Sequence, residues 1–189
     1  PRWGRTYECY GEDPYLVSRM GVAYVQGMQD EKRGPACIAK HFLGYADSQA
    51  GLNTAVCRIN DRELYETFAT PFEAAMREAD VSGVMANYGE IDGMNVVANP
   101  KIATELLRDT MQFQGMLTSD GAGILRTWSD YHTAASYEEA GYLAKRAGTD
   151  TEIPVGGAFA ALPAYVRSGQ LSEDCLDESV RRILTIKFA

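Results

Sequence analysis

The sequence predicts an α/β fold in which parallel strands form a sheet covered by outer helices. Four short apolar segments are typical of buried strands, and segments with helical periodicity separate them. Each apolar segment also leads into polar or charged residues. Strands that alternate with helices form a parallel sheet, and the carboxyl ends of its strands lie on one side. We therefore expect these polar residues to gather there as a site.

Composition and charge narrow the classes of function. The chain has 189 residues, 46% hydrophobic and 23% charged, so it can form one globular domain with a sizeable core. The formal net charge is -8 and no basic run occurs, which argues against a nucleic-acid partner. No apolar run reaches the roughly 20 residues needed to span a membrane. The four cysteines form no C-x-x-C pair, so we expect buried free thiols, no metal and no cofactor.

The first helix is predicted to begin at Asp13-Pro14, where Asp is the N-cap and Pro takes the first helical position. Its buried face is expected to consist of the apolar residues at helical spacing, which are Val17, Met20, Tyr24 and Met28. A charged segment, 30–35, is predicted to be a loop. The apolar segment 36–39 then predicts a strand that ends in Lys40 and His41.

The middle of the chain repeats this alternation. Segment 70–73 has the capping-box sequence Thr-Pro-Phe-Glu, which predicts that a helix begins there. Segment 81–87 predicts the next strand, and it leads into Tyr88 and Glu90. Asn99-Pro100 is expected to start a helix whose buried residues are Ile102, Leu106 and Leu107.

The segment 115–123 predicts a short buried strand that ends at Asp120, followed by two glycines in three residues. Taken alone, the Asp-Gly pair is better explained as a simple turn, since Asp and Gly are common turn residues. In a parallel α/β barrel, however, the carboxyl end of a strand is where catalytic side chains lie.

The last part of the chain contains one more strand between two helices. A second capping box, Ser-Tyr-Glu-Glu at 136–139, predicts a helix that runs to about Ala147. Segment 148–154 predicts a short strand with Asp150 and Glu152 near its end. Ser172 is expected to cap the final helix, whose buried residues would be Leu176, Val180, Ile183 and Leu184.

Taken in order, several segments resemble glycoside hydrolase family 3, the β-glucosidase and β-xylosidase type. The matching segments are 1–5 with 11–15, 39–42, 84–88, 107–120, 147–152 and 181–184. The resemblance covers nearly the whole chain. It implies that residues 1–189 are the latter part of a TIM-type (β/α)8 barrel, a partial catalytic domain. It also implies that a separate α/β sandwich domain, outside this chain, follows in the full-length protein.

The resemblance also assigns roles to residues. It makes Asp120 the nucleophile of a retaining glycosidase that removes terminal β-linked glucose or xylose. Arg5, Lys40, His41 and Tyr88 would line the sugar subsite, where the charges of Arg5 and Lys40 should keep Asp120 ionised. The family usually takes its acid/base Glu from the following domain. Within this chain, the carboxylates that could replace it are Glu90 and Glu152.

Two departures from the family pattern are visible. Gly121 stands where many members have Trp after the nucleophile, which is expected to open the rear of the sugar subsite. The segment 43–46 lacks the Pro-Gly-His-Gly of the N-acetylglucosaminidase branch, which disfavours that branch. Two other interpretations stay open: an aldolase-like barrel with Lys40 as a Schiff-base lysine, and a degenerate barrel that binds sugar without catalysis. The sequence does not indicate a cellular compartment.

Overall fold

The computed structural model describes residues 3–29 and 34–189. Four parallel strands form its main sheet, in the order in which they occur along the chain. They are β1 (Ile38–Phe42), β2 (Gly83–Ala86), β5 (Met116–Gly121) and β6 (Thr151–Ile153). A hairpin that the sequence did not predict lies between β2 and β5 and consists of β3 (Glu90–Ile91) and β4 (Met94–Asn95). The predicted strands and their parallel arrangement are therefore confirmed.

Helices connect the strands. Between β1 and β2, residues 61–79 are continuously helical, and the pieces Asp61–Glu63, Leu64–Ala69 and Thr70–Ala79 are together called α2. The others are α1 (Pro14–Met28), α3 (Lys101–Thr110), α4 (Gly123–Ser129), α5 (Tyr137–Ala147), α6 (Leu162–Arg167) and α7 (Asp174–Phe188). Short 3-10 turns occupy Thr6–Glu8, Tyr45–Asp47, Gln49–Gly51, Val96–Ala98 and Ala158–Ala161. None of the helices in the described ranges is long and apolar enough to cross a membrane.

The core lies between the sheet and these helices. Its largest fully buried side chains include Phe42, Leu64, Val84, Ile102, Leu106, Leu107, Leu117 and Ile124. The predicted buried residues of α3 are all among them. Asn99 supports the start of α3, since its Oδ1 accepts from Lys101 N at 3.0 Å. The predicted start of α5 is also confirmed, because Ser136 Oγ accepts from Glu139 N at 3.1 Å, although the Glu139 carboxylate accepts from Ala135 N and not from Ser136 N.

The buried face of α1 differs from the prediction. Asp13 caps α1 as expected, since its Oδ1 accepts from Tyr15 N at 2.9 Å. The residues that pack inward, however, are Ser18, Val22 and Val25, whereas three of the predicted residues, Met20, Tyr24 and Met28, are exposed and Val17 is half-buried. The small side chain of Ser18 allows α1 to lie close to α2, and Gln26 Nε2 joins the helices by donating to Glu78 O at 2.9 Å.

The start of α2 was also predicted wrongly. The helix begins at Asp61, where Asn60 accepts from Glu63 N at 3.0 Å and so caps it. Thr70 lies inside the helix and donates from its hydroxyl to Glu66 O at 2.8 Å. Pro71 has no N–H, and the six residues 64–69 before it widen to π-helical hydrogen bonding. A capping-box sequence therefore occurs within a continuous helix.

The final helix matches the predicted buried face in part, since Leu176 and Ile183 are half-buried. Ser172 Oγ accepts from Asp174 N at 3.2 Å, so it supports the first turn as predicted. The buried residue of α7 is Ser179, while Val180 and Leu184 are 50% and 43% exposed. A polar contact therefore anchors α7. The cysteine prediction holds only for Cys57, since the other three thiols are exposed or half-buried.

Asp150 lies just before β6, at the amino end of the sheet and not at its carboxyl end as the sequence predicted. Its buried carboxylate accepts from Arg108 Nη2 at 2.9 Å, Leu117 N at 2.8 Å, Ser179 Oγ at 2.6 Å and Arg182 Nη1 at 3.0 Å. We call these five residues the Asp150 hub. The hub connects β5 with α3 and α7, because each contributes a donor. Three segments that carry the family resemblance thus meet in one buried network.

Candidate active site

The carboxyl ends of β1, β2 and β5 bring His41, Tyr88 and Asp120 together. His41 lies inside β1, one residue before its end, and Asp120 is the penultimate residue of β5. Tyr88 follows β2 by two residues. Neighbouring parallel strands place these residues at the same edge of the sheet, as the sequence predicted from their positions after apolar segments.

Asp120 lies in a shielded, polar position. Its side chain is 16% exposed, and Oδ1 accepts from Gly121 N at 2.6 Å. The other oxygen, Oδ2, lies 3.2 Å from His41 Nε2, and neither atom has a well-aligned hydrogen bond to any described residue. Burial alone would raise the pKa of Asp120. The polar contacts with His41, Gly121 N and Tyr88 outweigh burial and lower that pKa, so the carboxylate stays ionised as a nucleophile must.

Tyr88 provides a protonated donor beside this carboxylate. Burial raises its pKa to about 12, and the contact with the negative charge of Asp120 adds to the effect. The phenol therefore keeps its proton through the neutral pH range. A Cβ atom at Gly121 would lie 3.5 Å from the Tyr88 hydroxyl, its only neighbour within 4 Å among the residues that the structure describes. The absence of a side chain at 121 thus leaves open space beside Tyr88, consistent with the open subsite expected from the sequence.

An aromatic wall adjoins the polar residues. The ring of Tyr45 lies 5.2 Å from His41, 4.7 Å from Trp3 and 6.1 Å from Tyr88, measured between ring centres. Trp3 and Tyr45 are buried, at 7% and 3% exposure. Neither residue was predicted from the sequence to belong to the site. Trp3 shares a segment with Arg5, whereas Tyr45 lies in a polar loop with no periodicity that could have revealed it.

Arg5 lies against this wall and does not contact Asp120. Its Nε and Nη2 atoms donate to the two carboxylate oxygens of Glu8 at 2.7 and 2.8 Å, and this pairing raises its pKa. The guanidinium carbon also lies 5.5 Å from the Trp3 ring centre and 5.7 Å from that of Tyr45. The contacts that lower the pKa of Asp120 come from His41, Gly121 and Tyr88 instead. The ion-pair partner of Arg5 is therefore Glu8 and not Asp120.

Lys40 is exposed at the rim, one residue before His41. Its positive charge contributes to lowering the pKa of Glu8, after the larger effect of Arg5. Lys40 is likewise absent from the contacts that lower the pKa of Asp120. A Schiff-base lysine is usually activated by desolvation, and Lys40 lacks it. The aldolase-like interpretation therefore has little support from the position of Lys40.

The two internal carboxylates considered as acid are differently placed. Glu152 is 5% exposed, and its oxygens accept from the backbone N–H groups of 156, 157, 158 and 159 at 2.8–3.2 Å. Because its oxygens accept from four backbone donors, the Glu152 carboxylate orders the loop after β6. Glu90 lies in the β3–β4 hairpin, where its carbonyl accepts from Cys57 N at 2.8 Å. Neither residue contacts Asp120.

Comparisons with known proteins agree with this geometry. Residues 1–186 match the glycosyl hydrolase family 3 N-terminal domain. A putative β-xylosidase of Formosa agariphila is 38% identical over the whole chain, which covers 26% of that protein. The lysosomal β-glucosidase of Dictyostelium discoideum is also 38% identical, and the chain covers 24% of it. The chain thus spans about a quarter of the curated relatives that it matches.

Solved structures give the same result for the fold. A β-glucosidase from Erythrobacter marinus superimposes with a TM-score of 0.94 at 37% identity, over 100% of this chain and 26% of that one. The β-glucosidase of Listeria innocua in complex with glucose gives 0.92 at 34% identity, over 99% and 27%. The predicted α/β fold, part of a TIM-type barrel, is confirmed. The chain belongs to glycosyl hydrolase family 3, as part of its N-terminal domain.

Proposed function

We propose that this chain carries the nucleophile of a retaining β-glycosidase that acts on terminal β-linked glucose or xylose. The observation that supports it most is the position of Asp120. It is a half-buried carboxylate with a lowered pKa, next to His41 and Tyr88 at the carboxyl edge of the sheet. The names of the relatives, β-xylosidases and β-glucosidases, support the substrate class.

In the first step, an oxygen of Asp120 attacks the anomeric carbon of the sugar. The bond from this carbon to the leaving oxygen breaks, and an acid gives that oxygen a proton. Tyr88 and His41 stabilise the ionised carboxylate before attack. In the second step, the same acid, now a base, removes a proton from water, which releases the sugar and restores Asp120.

A retaining mechanism requires a second carboxyl group about 5–5.5 Å from the nucleophile. Glu90 and Glu152 lack contact with Asp120, and Glu152 is saturated by backbone donors. We therefore propose that a following α/β sandwich domain of the full-length chain supplies an acid/base Glu. In this proposal residues 1–189 form a partial catalytic barrel domain, and catalysis needs both domains.

The sugar would contact the residues around Asp120. His41 and Tyr88 offer ring N–H and O–H donors to sugar hydroxyls, and Lys40 at the rim can reach a ligand from the solvent side. Arg5, paired with Glu8 and in contact with the Trp3 and Tyr45 rings, would line the sugar subsite beside these rings. The Listeria innocua enzyme was solved with glucose and, as a variant, with laminaribiose, which supports β-glucosides as the first substrates to test.

The test is covalent trapping in the full-length protein. A 2-deoxy-2-fluoro glucoside with an activated leaving group should label Asp120, because fluorine slows both steps while the good leaving group speeds only the first, so the covalent adduct accumulates. Mass spectrometry of the peptides would locate the adduct. Asp120→Asn should lower the turnover rate by more than the roughly 10²–10⁴-fold typical of losing one general acid or base, because it removes the covalent pathway. Sugar binding without any adduct would indicate the degenerate, non-catalytic barrel instead.

A further inference from the structure

Arg126 lies on α4, six residues after Asp120, and its side chain points to a role in the site. Its guanidinium carbon is 5.0 Å from the centre of the Tyr88 ring, a cation–π distance. On its other side it forms an ion pair with Asp130, one helical turn later. Its Nε atom is buried and has no hydrogen-bond partner among the described residues. The guanidinium therefore contacts both the Tyr88 ring and the Asp130 carboxylate.

This position matters because Tyr88 is held by few other groups. Tyr88 follows the end of β2 and lies outside the sheet, so strand pairing does not fix it. Its ring meets Tyr45 edge-on, with ring centres 6.1 Å apart, while Arg126 covers it at 5.0 Å. The hydroxyl lies close to Asp120 and beside the open space at Gly121. Since no side chain at 121 confines the hydroxyl, contacts at the ring must set its direction.

We propose that Arg126 is a positioning residue, which holds the Tyr88 ring so that its hydroxyl stays beside the Asp120 carboxylate. The inference rests on the proposed role of Asp120 as nucleophile. Asp130 has a supporting part, because its carboxylate fixes the guanidinium over the ring. Arg126 itself does not touch the reacting atoms; it acts only through Tyr88.

The proposal predicts the effect of Arg126→Met in the full-length protein. Met keeps the length of the side chain but loses both the charge and the planar group. The Tyr88 hydroxyl should then spend less time beside Asp120 and stabilise its negative charge less, so the pKa of Asp120 should rise by about one unit. The acid limb of the kcat/KM profile should move to higher pH by the same amount, and kcat/KM at its optimum should fall about tenfold. Arg77→Met, which removes another i,i+4 ion pair from an exposed helix, serves as the matched control.

A double-mutant comparison separates positioning from a direct charge effect. In a Tyr88→Phe background there is no hydroxyl to position, so Arg126→Met should shift the Asp120 pKa little further. A shift of equal size in both backgrounds would overturn the proposal, because the charge of Arg126 would then act on Asp120 directly. Arg126→Lys keeps the charge and loses the planar group, and it is used in both backgrounds if the Met variant folds poorly.

The readout does not depend on activity. The pKa of Asp120 can be followed by NMR of carboxyl-labelled aspartate, with its signal identified by its loss in Asp120→Asn. An unchanged pKa in Arg126→Met would refute the positioning role even if the protein hydrolyses glucosides. A raised pKa in a protein without hydrolytic activity would support the positioning role while refuting the proposed function.

Discussion

Replacing Asp150 by Asn should destabilise the protein strongly without touching the site around Asp120. The Asp150 side chain is fully buried, and its carboxylate is the acceptor for both guanidinium groups of the hub, from Arg108 and Arg182. These two side chains are only 11% and 15% exposed. An amide at 150 has one acceptor oxygen, and its NH₂ group would face a donor. At least one buried cation would lose its partner.

The expected loss of unfolding free energy follows from the number of buried groups that lose a partner. Breaking a buried pair by removing one partner typically costs about 3–5 kcal/mol, because an uncompensated charge stays buried. The loss of an acceptor for Leu117 N or Ser179 Oγ acts in the same direction. For a domain of this size, each kcal/mol lowers Tm by about 2–4 °C. A fall of roughly 6–20 °C is therefore expected in thermal unfolding.

Asp61→Asn is the matched control for this experiment. Asp61 pairs with Lys101 at 2.6 Å, but its side chain is 64% exposed. An exposed pair is usually worth less than about 1 kcal/mol, so Tm should change by no more than a few degrees. Equal shifts in the two variants would show that the Asp150 hub does not stabilise the buried guanidinium groups in the way described.

Two further predictions concern other buried positions. Burial lowers the pKa of Lys145 from 10.5 to about 8. Between these pH values the unfolded chain binds more protons than the folded protein, so the free energy of unfolding should rise with pH, by about 3 kcal/mol in total. Lys145→Met should remove this rise, and denaturant unfolding at pH 7.5 and 10 would show it; an unchanged slope would contradict the assignment. A Cβ at Gly141 would lie 2.5 Å from the backbone oxygen of Ala158, so Gly141→Ala should cost about 1–3 kcal/mol. Gly27→Ala, on α1 with nothing within 4 Å, should instead be neutral or stabilising, and equal melting shifts in the two Ala variants would count against the steric argument.

The sequence predicted elements best where the determining contacts are local. The cap of α5 depends on Ser136 and Glu139 alone, and the structure confirms it. Segment 70–73 has the same local form, yet it lies inside a helix that Asn60 begins ten residues earlier. A helix that widens before Pro71 and continues cannot be recognised from a four-residue pattern.

Faces of helices were harder to predict because burial depends on distant partners. On α1, both an apolar stripe and the stripe of Ser18, Val22 and Val25 have helical spacing. The second packs against α2, and the choice between them is set by the close approach of the two helices. The same reason explains α7, where Ser179 is buried through its bond to Asp150 while the apolar Val180 is half exposed.

The candidate site was predictable in its centre and not in its surroundings. His41, Tyr88 and Asp120 follow apolar segments, and a parallel sheet must bring such residues to one edge. Arg126 and Tyr45 come from a helix and a loop, and only the fold places them beside Tyr88. The sequence also assigned charge stabilisation of Asp120 to Arg5, which the structure shows paired with Glu8.

Strand β5 has a polar cluster at each end, the Asp150 hub at its amino end and the site around Asp120 at its carboxyl end. At its amino end, Leu117 N is held by Asp150, which fixes where the strand begins relative to α3 and α7. At its carboxyl end, Asp120 is held by Gly121 N, His41 and Tyr88. Family-resembling segments therefore divide into two sets: one surrounds Asp120, the proposed nucleophile, and the other pairs buried charges. Substitutions in the first set should change rate and pH dependence at constant Tm, whereas those in the second should lower Tm first, because the two ends share a strand but no side-chain contact.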